Sequence, residues 1–265
     1  MRGTKRTLLT SPNPEARKET QQKILLIMPA WNEQESIGRV LHEIKVQYND
    51  IEILVVNDGS TDRTGFIAKE EGALVWNHNG NQGYTAAIQS GRSYAWSNGY
   101  EFVLFADADG QHRPADIKRI LDPLLKGEAD IVRGSRELGQ YAWKEPFHLR
   151  YPRLICSILV SLKVRRWITD PTSGFKGEVR KVTGFFKTAY DTSSKIHLTN
   201  TNDIEECLLA SKQRFRIMEM PVIMLSREVG DTKCYSPRQL FKFPWDLIRT
   251  FGRNLWQPPR GPGIS

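Results

Sequence analysis

The segment Ile24–Glu33, with the sequence ILLIMPAWNE, begins with five consecutive apolar residues and ends with polar ones. A short, continuous apolar run is typical of a strand that is buried on both faces of a parallel sheet. Apolar residues at helical spacing follow over 36–46 and predict an amphipathic helix. The first part of the chain is therefore expected to form a strand followed by a helix.

The same alternation continues downstream. Apolar runs predict strands at 51–56, 73–76 and 102–105, and helical patterns lie between them at 61–71 and 85–97. Strands that alternate with helices at this spacing form a parallel sheet with right-handed crossovers. The expected fold class is α/β, with a Rossmann-like, mostly parallel sheet flanked by helices.

Acidic side chains follow three of the predicted strands: Glu33 after the first, Asp58 after the second, and Asp107 with Asp109 after the fourth. In open α/β sheets, ligands bind beyond the carboxyl ends of the strands. Asp58 alone would be explained equally well as the cap of the next helix. Three acidic strand ends on one edge predict a ligand site.

Asp107 and Asp109 place two carboxylates just beyond a buried strand, and Gln111 adds a carbonyl oxygen. Oxygen ligands of this kind suit Mg²⁺ or Mn²⁺ held together with substrate phosphates. The competing interpretation is an acidic turn, because Asp-Gly at 109–110 is a common turn dipeptide. The position after an apolar strand favours the metal site. Three basic residues are candidates for a clamp on the phosphates: Arg136, Arg227 and Lys233.

The composition narrows the class of partner. The chain has 265 residues and a net charge of +8, which suggests a polyanionic partner such as nucleic acid, an anionic membrane or a phosphorylated substrate. We find no nucleic-acid recognition motif and expect no nucleic-acid partner. Three scattered cysteines fit a reducing compartment, so a cytoplasmic location is expected. They are Cys156, Cys207 and Cys234.

Two stretches bear on membranes. The apolar run Leu154–Leu162 is roughly half the ~20 residues that a spanning helix needs. This run and Leu240–Trp256 combine apolar or aromatic residues with Lys and Arg, as in helices that lie on a membrane surface. Ordinary helices packed on the sheet explain both stretches as well. A peripheral position on the cytoplasmic membrane face, or a membrane-protein partner, therefore stays open.

Five motifs occur in a fixed order along the chain. They are PAWNE at 29–33, VVNDGS at 55–60, DADGQH at 107–112, GSR at 134–136 and DPTSGF at 170–175. In this order the chain resembles family 2 glycosyltransferases of the GT-A fold, in the polyprenyl-phosphate, dolichol-phosphate mannose synthase-like branch. The resemblance runs from Lys23 to Lys233. It divides the chain into a flexible arm at 1–20, a GT-A domain at 21–235 and a basic segment with an amphipathic helix at 236–265.

The resemblance implies a role for each motif. The nucleoside pocket would be lined by Pro29, Trp31, Glu33, Val56 and Asp58. The metal and diphosphate would lie at Asp107, Ala108, Asp109 and Gln111. The phosphates would meet Arg136, Arg227 and Lys233. Asp170 would lie beside the acceptor, and Lys176 stands where an arginine is common, which loses bidentate geometry. Asp109, Arg136 and Asp170 are the expected catalytic residues.

The family mechanism implies a single in-line displacement that inverts the sugar anomeric carbon, with a nucleoside-diphosphate sugar as donor. A hydroxyl acceptor would need a general base, for which Asp170 or Glu205 are candidates. A polyprenyl phosphate is already ionised and would need none, and the basic charge favours it. A glycan, a lipid-linked oligosaccharide or a small-molecule hydroxyl is the alternative acceptor. A nucleotidyltransferase is disfavoured because no Gly-rich phosphate loop occurs at 29–33.

Overall fold

The computed structural model describes residues 22–141, 147–192, 201–227 and 245–252. Its strands are β1 (Ile24–Ala30), β2 (Glu52–Asn57), β3 (Leu74–Asn77), β4 (Phe102–Phe105), β5 (Ile131–Tyr141), β6 (Lys176–Val179) and β7 (Ile217–Met224). Its helices are α1 (Ile37–Gln47), α2 (Thr64–Glu70), α3 (Tyr84–Ser97), α4 (Ile117–Leu125), α5 (Phe147–Val164), α6 (Arg180–Thr192), α7 (Asn202–Lys212) and α8 (245–252).

The seven strands form one sheet in the order β3-β2-β1-β4-β6-β5-β7. All neighbours are parallel except β6, which runs antiparallel to both β4 and β5. The predicted mostly parallel α/β sheet is confirmed. Because β6 runs backwards, its first residue, Lys176, pairs with Phe105 at the end of β4. The start of β6 therefore reaches the same edge of the sheet as the ends of β1, β2 and β4.

Strand β1 is buried on both faces, as its apolar run predicts. Leu26 and Met28 pack on one face with α1 and α4, whereas Leu25 and Ile27 pack on the other face with α3. Gly91 allows α3 to approach the sheet closely, since a Cβ there would lie 2.5 Å from Cγ2 of Ile27. Helices on both faces leave the strand ends as the open edge.

A second apolar cluster lies under α5, α6, α7 and β7, and it includes Cys156, Val160, Phe186 and Leu208. Leu247 of α8 packs against it. Cys156 and Cys207 are free, buried thiols, as expected for core-filling cysteines. This cluster supports the part of the sheet that β5, β6 and β7 form.

Several boundaries differ from the predictions. The helix predicted over 61–71 begins only at Thr64, because the Asp62 carboxylate accepts hydrogen bonds from the Thr64 amide and hydroxyl. Strand β3 is an edge strand with exposed Leu74 and Trp76. None of the described helices combines the length and apolar character that a membrane crossing requires. The expected arm at 1–20, Lys233 and Cys234 lie outside the described residues.

Candidate active site

The loops that follow β1 and β2 hold each other in place. Asn32 has a left-handed backbone (φ 53°), and its side-chain oxygen accepts a hydrogen bond of 2.9 Å from the Thr61 amide. The Glu33 amide donates to the Thr64 hydroxyl at 2.8 Å. The Glu33 carboxylate is therefore placed by two loops, at the edge where the sequence predicted a ligand site.

Asp58 organises a third loop. Its buried carboxylate accepts hydrogen bonds from the Gln82 and Gly83 amides, at 2.9 and 2.7 Å, and contacts Nδ1 of His78 at 2.7 Å. Gly59 allows this loop to pack against the end of β2, because a Cβ would lie 2.3 Å from the Gly80 backbone. Asp58 thus fixes the segment that leads into α3. Its contact with a nucleoside remains a prediction.

Asp107 and Asp109 lie in a tight turn after β4. Nδ1 of His112 accepts a hydrogen bond of 2.9 Å from the Asp107 amide, and Asp109 Oδ1 accepts one of 3.0 Å from the Gln111 amide. The His112 ring stacks on Phe175 at 4.8 Å. The acidic turn that the sequence offered as an alternative is present, and it holds both carboxylates beside each other. His112 is a residue that the sequence analysis did not single out.

The charges in this turn are not balanced. Burial, together with the charge of Asp203, raises the pKa of Asp107 to about 6. Burial and the Asp107 carboxylate raise the pKa of Asp109 as well. Burial also lowers the pKa of His112 to about 4, so this ring is neutral at pH 7 and supplies no compensating charge. The pair is therefore an environment that a bound cation would stabilise.

A divalent cation fits these residues if the substrate supplies part of its ligands. The described residues contain no cluster of three or more His, Cys, Asp or Glu side chains arranged around a metal position. Mg²⁺ is commonly held by one or two carboxylates, with substrate phosphates and water as further ligands. Asp107 and Asp109 match that ligand set, provided that a phosphate ligand arrives with the substrate.

Arg227 reaches the same carboxylates from the segment after β7. Its Nη2 lies 2.7 and 2.9 Å from the two carboxylate oxygens of Glu33, and its Nη1 lies 3.5 Å from Asp109 Oδ2. The structure therefore brings Arg227 to Asp109, which lies 118 residues earlier in the chain, and to Glu33, which lies 194 residues earlier. Sequence reasoning proposed all three for one site.

The remaining predicted residues of this region differ in accessibility. Trp31 is 39% exposed, whereas Val56 is completely buried in the core and can offer a ligand no side-chain surface. Ala108 is also buried, and its carbonyl accepts a hydrogen bond from the Ser36 hydroxyl at 2.9 Å. Tyr84 was not predicted, yet its hydroxyl lies 2.7 Å from the position that a Cβ of Gly174 would take. Asp107 Oδ1 lies 3.8 Å from the same position.

Asp170 and Arg136 form a buried ion pair. The Arg136 Nε and Nη2 donate to the two Asp170 oxygens at 2.6 and 2.8 Å, and Asp170 is completely buried. Burial alone would raise the pKa of Asp170, but the Arg136 guanidinium lowers it to about 2. A carboxylate of this pKa is a poor proton acceptor near neutral pH. The geometry thus argues against Asp170 as a general base.

A second buried ion cluster joins α3, β6 and α7. The Arg92 guanidinium donates to Glu178 at 2.7 and 3.0 Å and to Glu206 at 2.7 Å. The Lys176 ammonium donates to Asp203 at 2.7 Å and to Glu206. Lys176 is only 1% exposed, so its charge is used inside the protein. Glu205, the other candidate base, is also buried.

Sequence reasoning missed this cluster, although one signal was available. Arg92 interrupts a stripe of small and apolar residues on α3 that includes Ala87, Ile88 and Ala95. A charged residue within a buried stripe predicts a buried partner of opposite charge. The partners of Arg92 are Glu178 on β6 and Glu206 on α7, and nothing in the sequence pairs them with it across 86 and 114 residues.

The comparisons with known proteins agree with this architecture. A sequence profile of the family described as Glycosyl transferase family 2 matches residues 25–184. Polyprenol monophosphomannose synthase of Mycolicibacterium smegmatis is 26% identical over 80% of this chain and 81% of its own length. UDP-N-acetylglucosamine–dolichyl-phosphate N-acetylglucosaminyltransferase of Methanococcus voltae is 28% identical over 75% of this chain and 84% of its own.

Among solved structures, glucosyl-3-phosphoglycerate synthase from Mycobacterium tuberculosis, in complex with Mn²⁺, UDP and glucosyl-3-phosphoglycerate, superimposes with a TM-score of 0.67. The match covers 97% of this chain and 90% of that one, at 19% identity. At this level of identity the likeness concerns the fold.

Proposed function

Since the chain belongs to glycosyl transferase family 2 and is a glycosyltransferase, we propose that it transfers a hexose from a nucleoside-diphosphate sugar to a polyprenyl phosphate. The transfer inverts the anomeric carbon and depends on Mg²⁺ or Mn²⁺. The catalytic domain covers residues 21–235. The two relatives described above are named for sugar transfer to polyprenol or dolichyl phosphate, which supports this acceptor class.

We assign the donor to the ends of β1, β2 and β4. Trp31, which is 39% exposed, offers an aromatic face to the base or ribose, and Glu33 and Asp58 lie on neighbouring loops. Asp107 and Asp109 are the residues that would hold the divalent cation. When bound, such a cation supplies positive charge that stabilises the departing diphosphate. Arg227 lies beside the same carboxylates and would add its charge at the phosphates.

The observation that supports a phosphate acceptor is the Asp170–Arg136 pair. A hydroxyl acceptor must lose its proton in the transition state, but the Arg136 guanidinium contacts both Asp170 oxygens. Asp203, whose charge also acts on Asp107, is held by the Lys176 ammonium at 2.7 Å. A phosphate acceptor is ionised before it binds and needs no base. The ion pairing therefore favours a polyprenyl phosphate over a sugar hydroxyl.

Acceptors of this class are anchored in bilayers by their hydrocarbon chains. We accordingly place the enzyme on the cytoplasmic face of the membrane, as a peripheral protein whose donor arrives from the water phase. A membrane-protein partner is the alternative means of attachment.

The test is an assay that supplies both acceptor classes. Labelled nucleotide sugars are offered with Mg²⁺ or Mn²⁺, together with a polyprenyl phosphate in detergent or with saccharide acceptors, and the lipid and water phases are counted separately. We expect metal-dependent label in the lipid phase with one donor and none with the Asp109→Asn variant. Label that enters only the saccharides, with every common donor, would establish the hydroxyl acceptor instead.

A further inference from the structure

The outer face of α5 is a continuous apolar stripe. Six large side chains are at least 37% exposed, and each has another of the six three or four residues away. They are Tyr151, Leu154, Ile155, Ile158, Leu159 and Leu162. Residues at this spacing share one face of a helix. Exposed apolar residues are common singly, but a contiguous stripe of this length marks an interaction surface.

The rotation of α5 is fixed by its inner face. Cys156 and Val160 are completely buried in the second apolar cluster. The Ser157 hydroxyl donates to the Ile168 carbonyl at 2.5 Å, and the Ile168 amide donates to the Ser161 hydroxyl at 2.9 Å. The helix cannot turn its apolar stripe inward without losing these contacts.

Helix α8 repeats the arrangement on the same cluster. Leu247 and Phe251 pack inward, and Thr250 shares a hydrogen bond of 2.8 Å with Thr201. Trp245 and Ile248 face outward and are 67% and 63% exposed. Two helices that rest on one cluster thus both present apolar side chains to the outside.

The exposed charged side chains of α5 and of the turn that follows it are positive. From Arg150 to Trp167 the sequence contains five Arg or Lys residues and no Asp or Glu, and of the five only Arg153 is buried. Lys163, Arg165 and Arg166 are exposed at the end of α5, directly before Trp167, which is 64% exposed. Apolar residues bordered by tryptophan and cations are typical of helices that lie in a bilayer interface, where anionic lipids attract the cations.

We propose that these outward side chains form a docking face for the surface of an anionic bilayer. The docking face consists of the six residues of the apolar stripe on α5 together with Trp167, Trp245 and Ile248. The proposal rests on the proposed function in one respect, since it explains how the enzyme meets an acceptor embedded in lipid. A second copy of the chain is a poorer occupant, because it would bring two positively charged borders together.

The docking face starts beside the acceptor side of the site. Arg150 and Arg153, at the start of α5, contact the Glu137 carboxylate at 3.3 and 2.9 Å. Glu137 is the neighbour in sequence of Arg136, which holds Asp170. A bilayer bound along α5 would therefore present a lipid phosphate near the loop that carries Asp170.

Vesicle flotation tests the docking face without reference to catalysis. The full chain is mixed with vesicles of phosphatidylcholine alone or of phosphatidylcholine with phosphatidylglycerol. We expect binding to the anionic vesicles that weakens as salt is raised. Ile158→Glu with Leu162→Glu should weaken this binding about tenfold or more, because two apolar side chains are replaced by anions.

The matched control is Val46→Glu on α1. Val46 is 73% exposed and Leu162 is 72% exposed, so the two substitutions change equally accessible positions on different faces. Val46→Glu should leave flotation unchanged. Equal losses for both variants, or no flotation of the wild type on anionic vesicles, would overturn the docking face. So would a wild-type dimer in solution that Leu162→Glu dissociates while vesicle binding persists.

A parallel assay separates this proposal from the proposed function. Transfer to a short-chain, water-soluble polyprenyl phosphate does not require a bilayer, so the double variant should retain wild-type turnover there. Flotation without transfer to any polyprenyl phosphate would contradict the proposed function and leave the docking face standing. If the wild type transfers sugar to the soluble acceptor but does not float with vesicles, the docking face is contradicted and the proposed function stands.

Discussion

The two halves of the sheet edge differ in how their acidic side chains are paired with basic ones. In the donor half, formed by β1 to β4, the carboxylates of Glu33, Asp107 and Asp109 are close together, and Arg227 contacts two of them. In the acceptor half, formed by β5 to β7 and their helices, the acidic side chains of the buried clusters are ion-paired with neighbouring arginine or lysine residues. Examples are Asp170 with Arg136 and Glu206 with Arg92.

This difference indicates that the carboxylates of the donor half serve ligand binding, whereas the ion pairs of the acceptor half serve folding. Carboxylates whose pKa is raised by burial and by neighbouring carboxylates, as for Asp107 and Asp109, are costly to the folded protein and are stabilised when a cation arrives. Buried carboxylates that are already paired gain nothing from a ligand, and removing one partner leaves the other charge buried without compensation. Substitutions of the grouped carboxylates in the donor half should therefore affect catalysis. Substitutions that break a buried ion pair of the acceptor half, including changes at Arg92, which reaches that half from α3, should affect stability.

Asp109→Asn should have the largest effect on activity. The amide keeps the oxygen that accepts the Gln111 hydrogen bond but removes the charge that would hold the cation. We expect transfer to fall by at least about 10³-fold, equivalent to about 4 kcal/mol of transition-state stabilisation. The thermal midpoint should not fall, because the raised pKa of Asp109 shows that its ionised form is disfavoured. Near-normal turnover in this variant would remove Asp109 from the metal site.

Arg92→Met should have the largest effect on stability. It leaves Glu178 and Glu206 buried without their shared arginine, which should cost about 3–5 kcal/mol in the free energy of unfolding. The matched control is Lys118→Met, which breaks an exposed pair with Asp122 on α4 and should leave the free energy of unfolding nearly unchanged, because water screens exposed charges. Urea denaturation measures both. Equal losses would mean that the buried cluster is no more important than a surface pair.

Asp170→Asn tests the acceptor half near the site. Because the Arg136 charge loses its buried partner, we expect a loss of stability of about 3 kcal/mol or more. Activity per folded molecule should fall by less than the ~10²-fold that the loss of a general base would cause. Asp191→Asn on α6, whose pair with Lys187 is exposed, serves as the control. A loss above 10²-fold with unchanged stability would restore Asp170 as a base.

The same residue predicts a pH dependence. The folded pKa of Asp170, about 2, lies below the unfolded value of about 3.9. The pair therefore contributes stability above about pH 4 and loses it as pH falls towards 2. The free energy of unfolding, measured by urea denaturation at several pH values between about 4 and 2, should fall less steeply with decreasing pH for Asp170→Asn than for the wild type. Identical slopes would contradict the shifted pKa.

Arg227→Gln should have the smallest effect of these substitutions, and we expect it on ligand affinity. Arg227 contacts Glu33 and Asp109, so its charge competes with a metal ion for one carboxylate while it attracts the diphosphate. Affinity for a nucleoside diphosphate should fall about tenfold, or 1.4 kcal/mol, and affinity for Mn²⁺ alone should stay or rise. Calorimetry measures both, with the exposed Arg214→Gln as control. A loss of Mn²⁺ affinity would show that Arg227 supports the metal site.

The donor half was largely predictable because its signals are local. The apolar run of β1 and the acidic residues after β4 are continuous in sequence, and the carboxyl ends of parallel strands must share an edge. Arg227 was singled out through its resemblance to a family motif, and the structure brings it into contact with Glu33 and Asp109. Composition alone could not select it among 38 Lys and Arg residues.

The acceptor half was less predictable because its partners are distant in sequence. Asp170 was expected to act on the acceptor, yet its geometry depends on Arg136, 34 residues earlier, and on the Glu219 carboxylate that binds its amide. The direction of β6 carries no local signal either, since a four-residue strand reads the same in a parallel or an antiparallel pair. Tertiary pairing decides both features.

The reversed strand β6 has a consequence for how the chain is made. It lies between β4 and β5 in the sheet, but Lys176 leaves the ribosome 71 residues after Phe105. At about 5–20 residues per second, the exposed edge of β4 would wait roughly 4 to 14 seconds for its neighbour. An unpaired apolar strand edge is prone to wrong pairing during such a delay. Synthesis conditions that slow elongation between β4 and β6 should therefore lower the soluble yield of this enzyme.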